Sequence, residues 1–275
     1  MGMLEGFIEP GIPVPMFWVM VGSAIIILGI SKSGVSGGAI LSLPLMMMVM
    51  PVDKVAATML PLLVLCDMNA IYHHRRNVVW KKVSAIYVPA IIGIGIGTAI
   101  WWYIGQNGVE QYAVPLKRFV GVIALLFGFY IFAKETSMSW VAEHRAGPGS
   151  AVIAGVGAGI TTTLAHAAGP IVSLYLFSQG MGKQLFVGTM AWTFMLLNLT
   201  KLPFYGAIGM IQADVLLFDL WLVPLIPVGS FLGKWLLNRF TEQTFNRVVM
   251  TLTLIAGIQL TFNIQLIGWV LERFG

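Results

Sequence analysis

The amino-acid sequence predicts an all-α integral membrane protein made of two inverted repeats, each a re-entrant helical hairpin plus three transmembrane helices. Three observations lead to this fold class. Hydrophobic residues make up 58% of the 275-residue chain and charged residues only 10%, far below the ~25% charged residues of a typical soluble domain. The hydrophobic part of the sequence repeats itself. Each copy opens with an apolar stretch that small residues interrupt.

The internal repeat aligns residues 38–45 with residues 169–176 without a gap. The same register carries Asp67 onto Asn198. After a small slip it carries Gly93 onto Gly229, Gly97 onto Gly233 and Gly128 onto Gly257. Two copies of one hydrophobic unit in a membrane chain are typical of a transporter whose substrate lies between the copies.

Six apolar runs are each near the ~20 residues that a membrane-spanning helix needs. They are residues 52–74, 83–104, 114–133, 183–200, 214–237 and 245–271. We divide the chain into an extracytoplasmic N-terminal segment (1–16), a first transmembrane repeat (17–133), a cytoplasmic linker (134–149) and a second transmembrane repeat (150–271).

Two further apolar stretches, residues 17–50 and 150–180, are interrupted by small residues at 31–38 and 161–170. The arms on either side run to about 14 residues, or about 20 Å of helix, which is short of a ~30 Å hydrocarbon core. Irregular backbone at that depth is tolerated only where protein buries it or where it lines a cavity. We therefore expect two re-entrant hairpins whose tips lie near the midplane.

The distribution of Lys and Arg gives the orientation. With the N-terminus outside and each hairpin returning to its own side, ten of the 16 Lys and Arg residues lie inside. Five lie outside, among them Lys54, Lys117 and Lys201, and Lys32 is left at a tip. This bias follows the positive-inside rule, so we expect the N-terminus to lie outside. Three passes in place of a hairpin and one span give the same loop sides, so charge alone leaves that alternative open.

The residues at the tips favour an anion. The returning arms begin near Gly38 and Pro170, so two helix N-termini, with free N–H groups and the positive end of the dipole, point at the midplane. Glycines let an oxyanion approach the backbone, and hydroxyls can donate to it. The candidate substrate-binding residues are Lys32, Ser33, Gly34, Ser36, Gly37, Gly38, Thr162, Thr163, His166, Gly169, Asn198 and Lys201. The alternative is that the small residues only let helices pack closely.

The ionisable candidates each allow two interpretations. A charge at the depth of Lys32 costs several kcal/mol unless it is paired or wetted, so Lys32 binds the anion or pairs with a carboxylate. We expect that partner to be Asp67, taken as the only acidic residue well inside a span, acting as a proton relay or only orienting Lys32. His166 is a proton-coupling group or a hydrogen-bonded structural histidine. Asn198 contacts the substrate or a neighbouring helix, and Lys201 contacts the substrate or snorkels to the outer interface.

Other features carry less chemistry. The sequence Trp101-Trp102-Tyr103 is typical of an interfacial aromatic belt, and His73 to Arg76 of a cytoplasmic topology signal. The single cysteine, Cys66, excludes disulfides and cysteine-based metal sites. We expect no cofactor and no metal. We also expect no nucleic-acid partner, because the basic residues belong mostly to loops. The expected partners are a small anion, a coupled proton and membrane lipid, with the oligomeric state open.

Ordered motifs in both halves resemble a known family. The first half has Lys32-Ser33-Gly34 through Gly37-Gly38, then Pro44, Leu60-Pro61 and Asp67; the second has Thr161-Thr162, Ala165 to Pro170, Phe186 to Thr189, Asn198, Lys201, Pro203 and Tyr205. Over roughly residues 17–270 the chain resembles the TauE/SafE sulfite and organosulfonate exporters. It departs from the family's triple-glycine run, with Gly37-Gly38 in the first half and Ala168-Gly169-Pro170 in the second. The resemblance implies an inner-membrane carrier, and no enzyme, that exports sulfite or a C2-type sulfonate by alternating access.

Three competing functions remain from the residues alone. Gly34-Val35-Ser36-Gly37 matches the Gly-x-Ser-Gly of rhomboid-type intramembrane proteases, and His166 would be the base that such a serine needs. An anion channel is a second possibility, because inverted hairpins that meet at the midplane also build channels. A purely structural membrane subunit is the third, although it leaves the polar tips unexplained.

Overall fold

The structure of the protein, a computed structural model, describes residues 4, 6–32, 38–74, 76–136, 148–239 and 242–264. Within these ranges the chain forms helices joined by turns and short loops. The helices are α1 (Val14–Lys32), α2 (Gly38–Met47), α3 (Val52–His74), α4 (Trp80–Asn107), α5 (Val109–Thr136), α6 (Pro148–Ala165), α7 (Gly169–Phe177), α8 (Lys183–Ala207), α9 (Ala213–Leu222), α10 (Leu225–Arg239) and α11 (Glu242–Phe262).

The length and composition of these helices are those of a multi-pass membrane protein. Among the described residues, α1, α3, α4, α5 and α8 are each long and apolar enough to cross a membrane, and the α9–α10 pair raises the number of spans to six. Large apolar side chains cover the outward faces: Ile153 is 77% exposed and Phe231 71% exposed. A soluble monomer rarely exposes so much apolar surface, whereas lipid tails accept it.

Each interrupted stretch forms an antiparallel helix pair. In the first, the hydroxyl of Ser42 on α2 donates to the carbonyl of Ala24 on α1 at 2.8 Å, and the N–H of Glu9 donates to the carbonyl of Val49 at 3.0 Å. The chain therefore returns to the level at which α1 begins. In the second pair, Ile171 packs against Gly157.

The arms of these pairs are unequal, which corrects the expected arms of about 14 residues. The outgoing helices α1 and α6 have 19 and 18 residues, and the returning helices α2 and α7 have 10 and 9. At 1.5 Å per residue the outgoing helices are about 27 Å long, and the returning helices about 14 Å.

The second break is also shorter than the expected 161–170, since only residues 166–168 leave helical geometry. The threonines before it stay in α6 because their hydroxyls bond within the helix. Thr161 donates to the carbonyl of Gly157 and Thr163 to that of Gly159, both at 2.8 Å. This back-bonding satisfies the hydroxyl without breaking the helix.

The expected single span at 214–237 is wrong in one respect: it is two helices, α9 and α10, bent by 40°. Two prolines explain the bend, because neither Pro224 nor Pro227 has an N–H to donate to the carbonyl four residues earlier. Around the break, the N–H of Val223 donates to the backbone carbonyl of Asp219, and the N–H of Ile226 donates to that of Val223. Of the other expected spans, 245–271 ends as a helix at Phe262, and residues 265–275 lie outside the described residues.

Four helix pairs organise the packing: α1 with α10, α6 with α4, α3 with α8, and α5 with α11. Glycines let three of these pairs, α6 with α4, α1 with α10 and α5 with α11, approach backbone to backbone. A Cβ atom on Gly159 of α6 would lie 2.2 Å from the carbonyl oxygen of Ala90 and 2.9 Å from Cα of Gly93 on α4. A Cβ on Gly229 of α10 would lie 3.1 Å from Cα of Gly29 on α1. Only glycine fits at such crossings.

Candidate functional site

The break between α6 and α7 is built around His166. Its φ of 47° lies in the left-handed region, which histidine enters more readily than most residues and which ends α6. The N–H of His166 donates to the carbonyl of Thr162 at 3.0 Å, and that of Ala167 donates to Thr161 at 3.3 Å. Helix α7 then begins at Gly169 with proline next and with no side-chain cap, so its first N–H groups face the break without intrahelical partners.

Lys201 on α8 reaches into this break. Its ammonium donates to the carbonyl of Thr162 at 3.1 Å, to the hydroxyl of the same residue at 3.0 Å and to Nδ1 of His166 at 3.0 Å. The side chain is fully buried. The alternative in which Lys201 snorkels to the outer interface is therefore wrong, and Lys201 no longer counts among the outer charges.

The partners of His166 define its tautomer. An ammonium can only donate, so Nδ1 accepts from Lys201. The Nε2 atom lies 2.9 Å from the carbonyl of Ala56 on α3, which can only accept, so Nε2 carries the hydrogen. This assignment from donor chemistry makes the imidazole neutral. A second proton on the ring would face the ammonium of Lys201 directly.

The carbonyl of Thr163, one residue further along α6, accepts two more side-chain donors. Trp101 Nε1 on α4 donates to it at 3.0 Å, and the hydroxyl of Tyr205 on α8 donates to it as well. Together with Lys201, these donors satisfy the carbonyls of Thr162 and Thr163, two of the last four of α6, where the helix dipole is negative.

The sequence did not predict that Trp101 and Tyr205 contribute to this site. Trp101 does not belong to an interfacial belt with Trp102 and Tyr103, because it is 3% exposed while its two neighbours are more than half exposed. The helical period was the signal that could have identified it, since Trp101 lies on the same face of α4 as Gly93 and Gly97. Tyr205 entered only as part of a motif.

Asp67 on α3 and Asn198 on α8 form a second buried polar pair. The Nδ2 amide of Asn198 donates to Oδ2 of Asp67 at 2.6 Å, and both side chains are buried. Asn198 therefore makes the interhelical hydrogen bond that was one of its two expected roles. One helical turn separates it from Lys201 on α8, so one face of α8 carries both contacts.

The structure thus brings together Thr162, Thr163, His166, Gly169 and Lys201 at one break. Of the first tip, Ser33, Gly34, Ser36 and Gly37 lie outside the described residues. Lys32 ends α1 and Gly38 begins α2, with only their backbones described.

The premise that Asp67 is the only acidic residue deep in a span is wrong. Asp219 lies in the second half of α9 and is 4% exposed. The sequence already carried this signal, because Asp219 falls inside the expected span 214–237.

One cavity adjoins the second break, and a larger one lies elsewhere in the bundle. One, of about 30 Å³, lies between that break and the helices α2, α3 and α5, with His166 and Pro44 among its lining residues; it has room for about two water molecules. The other, of about 300 Å³, lies at the end of the bundle where α3 begins, and its lining includes Lys54, Ala57, Trp101 and Gln212. Trp101 therefore contacts both this larger cavity and the break.

Comparison with known proteins gives one match. The family model described as "Sulfite exporter TauE/SafE" matches residues 21–260, a stretch that runs from within α1 to the last turn of α11. Searches of curated proteins and of solved structures return no match.

Proposed function

The chain belongs to the TauE/SafE family of sulfite exporters, and on that premise we propose that it exports a small sulfur oxyanion, sulfite or a C2-type sulfonate. The family's members are transporters, which makes an enzymatic function such as intramembrane proteolysis the weaker interpretation. The observation that carries the proposal is the buried ammonium of Lys201 beside the uncapped start of α7.

The anion is bound at the break between α6 and α7. An outgoing helix brings its negative end to the same break and would repel an anion. Here Lys201, Trp101 and Tyr205 donate to the carbonyls of Thr162 and Thr163 in the last turn of α6, which offsets the negative charge of that end. The positive N-terminus of α7, with Gly169 at its first position, is then the unbalanced dipole.

The first tip supplies the facing half of the site in this proposal. Lys32, Ser33, Gly34, Ser36, Gly37 and Gly38 are its binding residues, and the hydroxyls of Thr162 and Thr163 belong to the second tip. The small cavity beside His166 lies next to Pro44 on α2, the returning helix of the first hairpin. That neighbourhood supports a substrate position between the two hairpins.

The inverted repeat is supported by glycine contacts that correspond in pairs. In the repeat alignment Gly93 corresponds to Gly229. Gly93 packs on Gly159 of the second hairpin, and Gly229 packs on Gly29 of the first. The two crossings are therefore the same contact made once by each half.

A second contact pair follows the same rule. Gly128 corresponds to Gly257, and a Cβ on Gly128 would meet Leu254 at 2.6 Å whereas a Cβ on Gly257 would meet Leu125 at 3.0 Å. Each glycine of the α5–α11 pair thus faces the leucine three residues before the other. This reciprocity is expected of a two-fold axis between the halves, and it supports alternating access by rocking of one half on the other.

In this proposal His166 or Asp67 binds and releases a proton during transport. A proton added to the neutral ring of His166 would repel Lys201 and weaken its hold on Thr162, which links the charge at the break to its geometry. Asp67 is bound by Asn198 and serves as the relay or as the partner that orients Lys32. We place the chain in the cell inner membrane, with its N-terminus outside.

The test is sulfite flux into proteoliposomes that contain the purified protein, with sulfoacetate, taurine and sulfate as competitors. We expect saturable uptake that preloaded substrate accelerates, since a carrier must return its site. Linear, voltage-driven current would instead identify an anion channel. The absence of flux for every one of these anions would refute the proposed substrate class.

A further inference from the structure

Asp219 is a buried carboxyl group that the proposed binding site does not use. It lies on the inner face of α9 with Val215, Phe218 and Leu222, and 4% of it is exposed. Neither of its carboxylate oxygens has a hydrogen-bond partner among the residues that the structure describes. Such an unpaired buried acid is exceptional, since buried polar side-chain atoms are normally hydrogen-bonded.

The surroundings of this carboxyl group are apolar. Phe218 stacks on Phe7 with ring centroids 4.4 Å apart and also contacts Phe17 and Trp18. The elements packed against α9 are α3, α1 and the N-terminal segment. Among the described residues of these elements, the charged and titratable ones are Glu9, Lys32, Asp53, Lys54, Cys66, Asp67, Tyr72, His73 and His74, and Glu5 lies outside the described residues.

Two of these charged side chains pair with other residues. Lys54 pairs with Asp214 at 2.7 Å and Glu9 with Lys117 at 2.6 Å. Among the side chains that the structure describes, none forms a hydrogen bond with the carboxylate oxygens of Asp219. An ionised carboxylate in an apolar site without a partner costs far more than protonating it.

We propose that Asp219 holds a proton in this conformation and exchanges it with water during transport, in series with His166 or Asp67, so that proton coupling needs both groups. The proposal rests on the proposed function, because it assigns proton coupling to that transporter. The step is an acid dissociation: the carboxyl O–H bond breaks, the proton passes to water, and the carboxylate keeps the electron pair.

The position of Asp219 explains how transport would open it to water. Helix α9 has ten residues and is held at its start by the Lys54–Asp214 ion pair. In this proposal it hinges at its end, where the 40° bend at Pro224 interrupts the helical hydrogen bonds. On α3, the hydroxyl of Thr58 also lacks a partner. Thr58 lies about one helical turn after Lys54, and Asp219 lies about one turn after Asp214, the partner of Lys54. Both buried groups would gain hydrogen bonds to water if this region opened.

The first test is spectroscopic and independent of transport. We would record infrared spectra of the purified wild-type protein, Asp219→Asn and the matched control Asp53→Asn at neutral pH. We expect the carbonyl band of a protonated carboxyl group in the wild-type protein and in Asp53→Asn, and its loss in Asp219→Asn. A band that persists in Asp219→Asn would overturn the proposal.

The second test follows protons and anions in the same proteoliposomes, with a pH dye inside. Wild-type protein and Asp53→Asn should move protons with sulfite, and a pH gradient should stimulate uptake. Asp219→Asn should lose that stimulation and the proton signal yet still exchange sulfite for sulfite, and Asp219→Glu should recover part of both.

The outcomes separate the two proposals. Unchanged proton movement in Asp219→Asn would refute the role of this residue while leaving the exporter in place. Absence of sulfite flux in the wild-type protein would refute the proposed function, and the infrared band would still report whether Asp219 holds a proton.

Discussion

Replacing Lys201 by methionine separates binding from folding. The substitution removes the ammonium that donates to Thr162 and to His166 but keeps an unbranched apolar stem. Leaving His166 Nδ1 and the Thr162 hydroxyl unpaired costs about 1–3 kcal/mol each. Relief of the desolvation of a buried ammonium returns several kcal/mol, so the free energy of unfolding should change little.

Substrate binding has no such compensation. Because its three N–H donors are already committed, the ammonium attracts the anion by charge alone. At about 6–10 Å and an effective dielectric constant of about 20, its removal costs about 1.7–2.8 kcal/mol, which corresponds to a rise of about 15- to 100-fold in the half-saturation concentration. We expect Lys201→Met to remain folded and to show at least the lower end of this rise. Sulfite uptake into proteoliposomes measures the rise, and thermal unfolding in detergent measures the stability.

Two further variants control this experiment. Lys117→Met removes a lysine whose ion pair with Glu9 lies away from the break, and it should keep the wild-type half-saturation concentration. Lys201→Arg keeps the charge, but its planar fork fits the three contacts poorly, so it should give an intermediate value. Wild-type uptake by folded Lys201→Met would refute the role assigned to this ammonium.

Five other substitutions have definite expected results. Lys32→Ala should abolish sulfite uptake and leave the protein monodisperse, while Ser36→Ala should retain part of the uptake, which a protease nucleophile would not allow. Gly159→Val should prevent folding, seen as aggregation on size exclusion, because its Cβ would lie 2.2 Å from an α4 carbonyl, whereas Gly206→Ala meets nothing within 4 Å and should be silent. Tyr205→Phe should lower the unfolding temperature by the equivalent of ~1 kcal/mol, since Trp101 still donates to the shared carbonyl; an unchanged melting curve would show that the hydroxyl contributes nothing.

The sequence predicts the helices well where an apolar run determines them. The run at 52–74 coincides with α3, because length and hydropathy suffice to identify a span. It fails at 214–237, where composition is apolar throughout but the missing N–H groups of Pro224 and Pro227 divide the run. It also overstates the second break, because the hydroxyls of Thr161 and Thr163 bond back into α6, a choice that residue type alone leaves open.

The candidate site was predictable in its members and not in its connections. The repeat and the small residues pointed to Thr162, His166 and Gly169, but the direction of Lys201 depended on which face of α8 meets the break. A long flexible lysine can snorkel or turn inward with equal chemistry. Its burial follows from the carbonyls at the end of α6 and from the neutral nitrogen of His166, which only tertiary structure brings within 3.1 Å.

The buried ionisable groups near the midplane do not balance in charge. Lys201 is a buried cation beside a neutral histidine, and Asp67 is a buried carboxylate held by Asn198. With Lys32 at the first tip, as the sequence predicts, the region holds two cations against one carboxylate, since a protonated Asp219 adds no charge. An uncompensated positive charge at this depth is costly, and a bound anion with one negative charge cancels it. We infer that this excess positive charge destabilises the site unless an anion is bound, and that it attracts the substrate as a counter-charge.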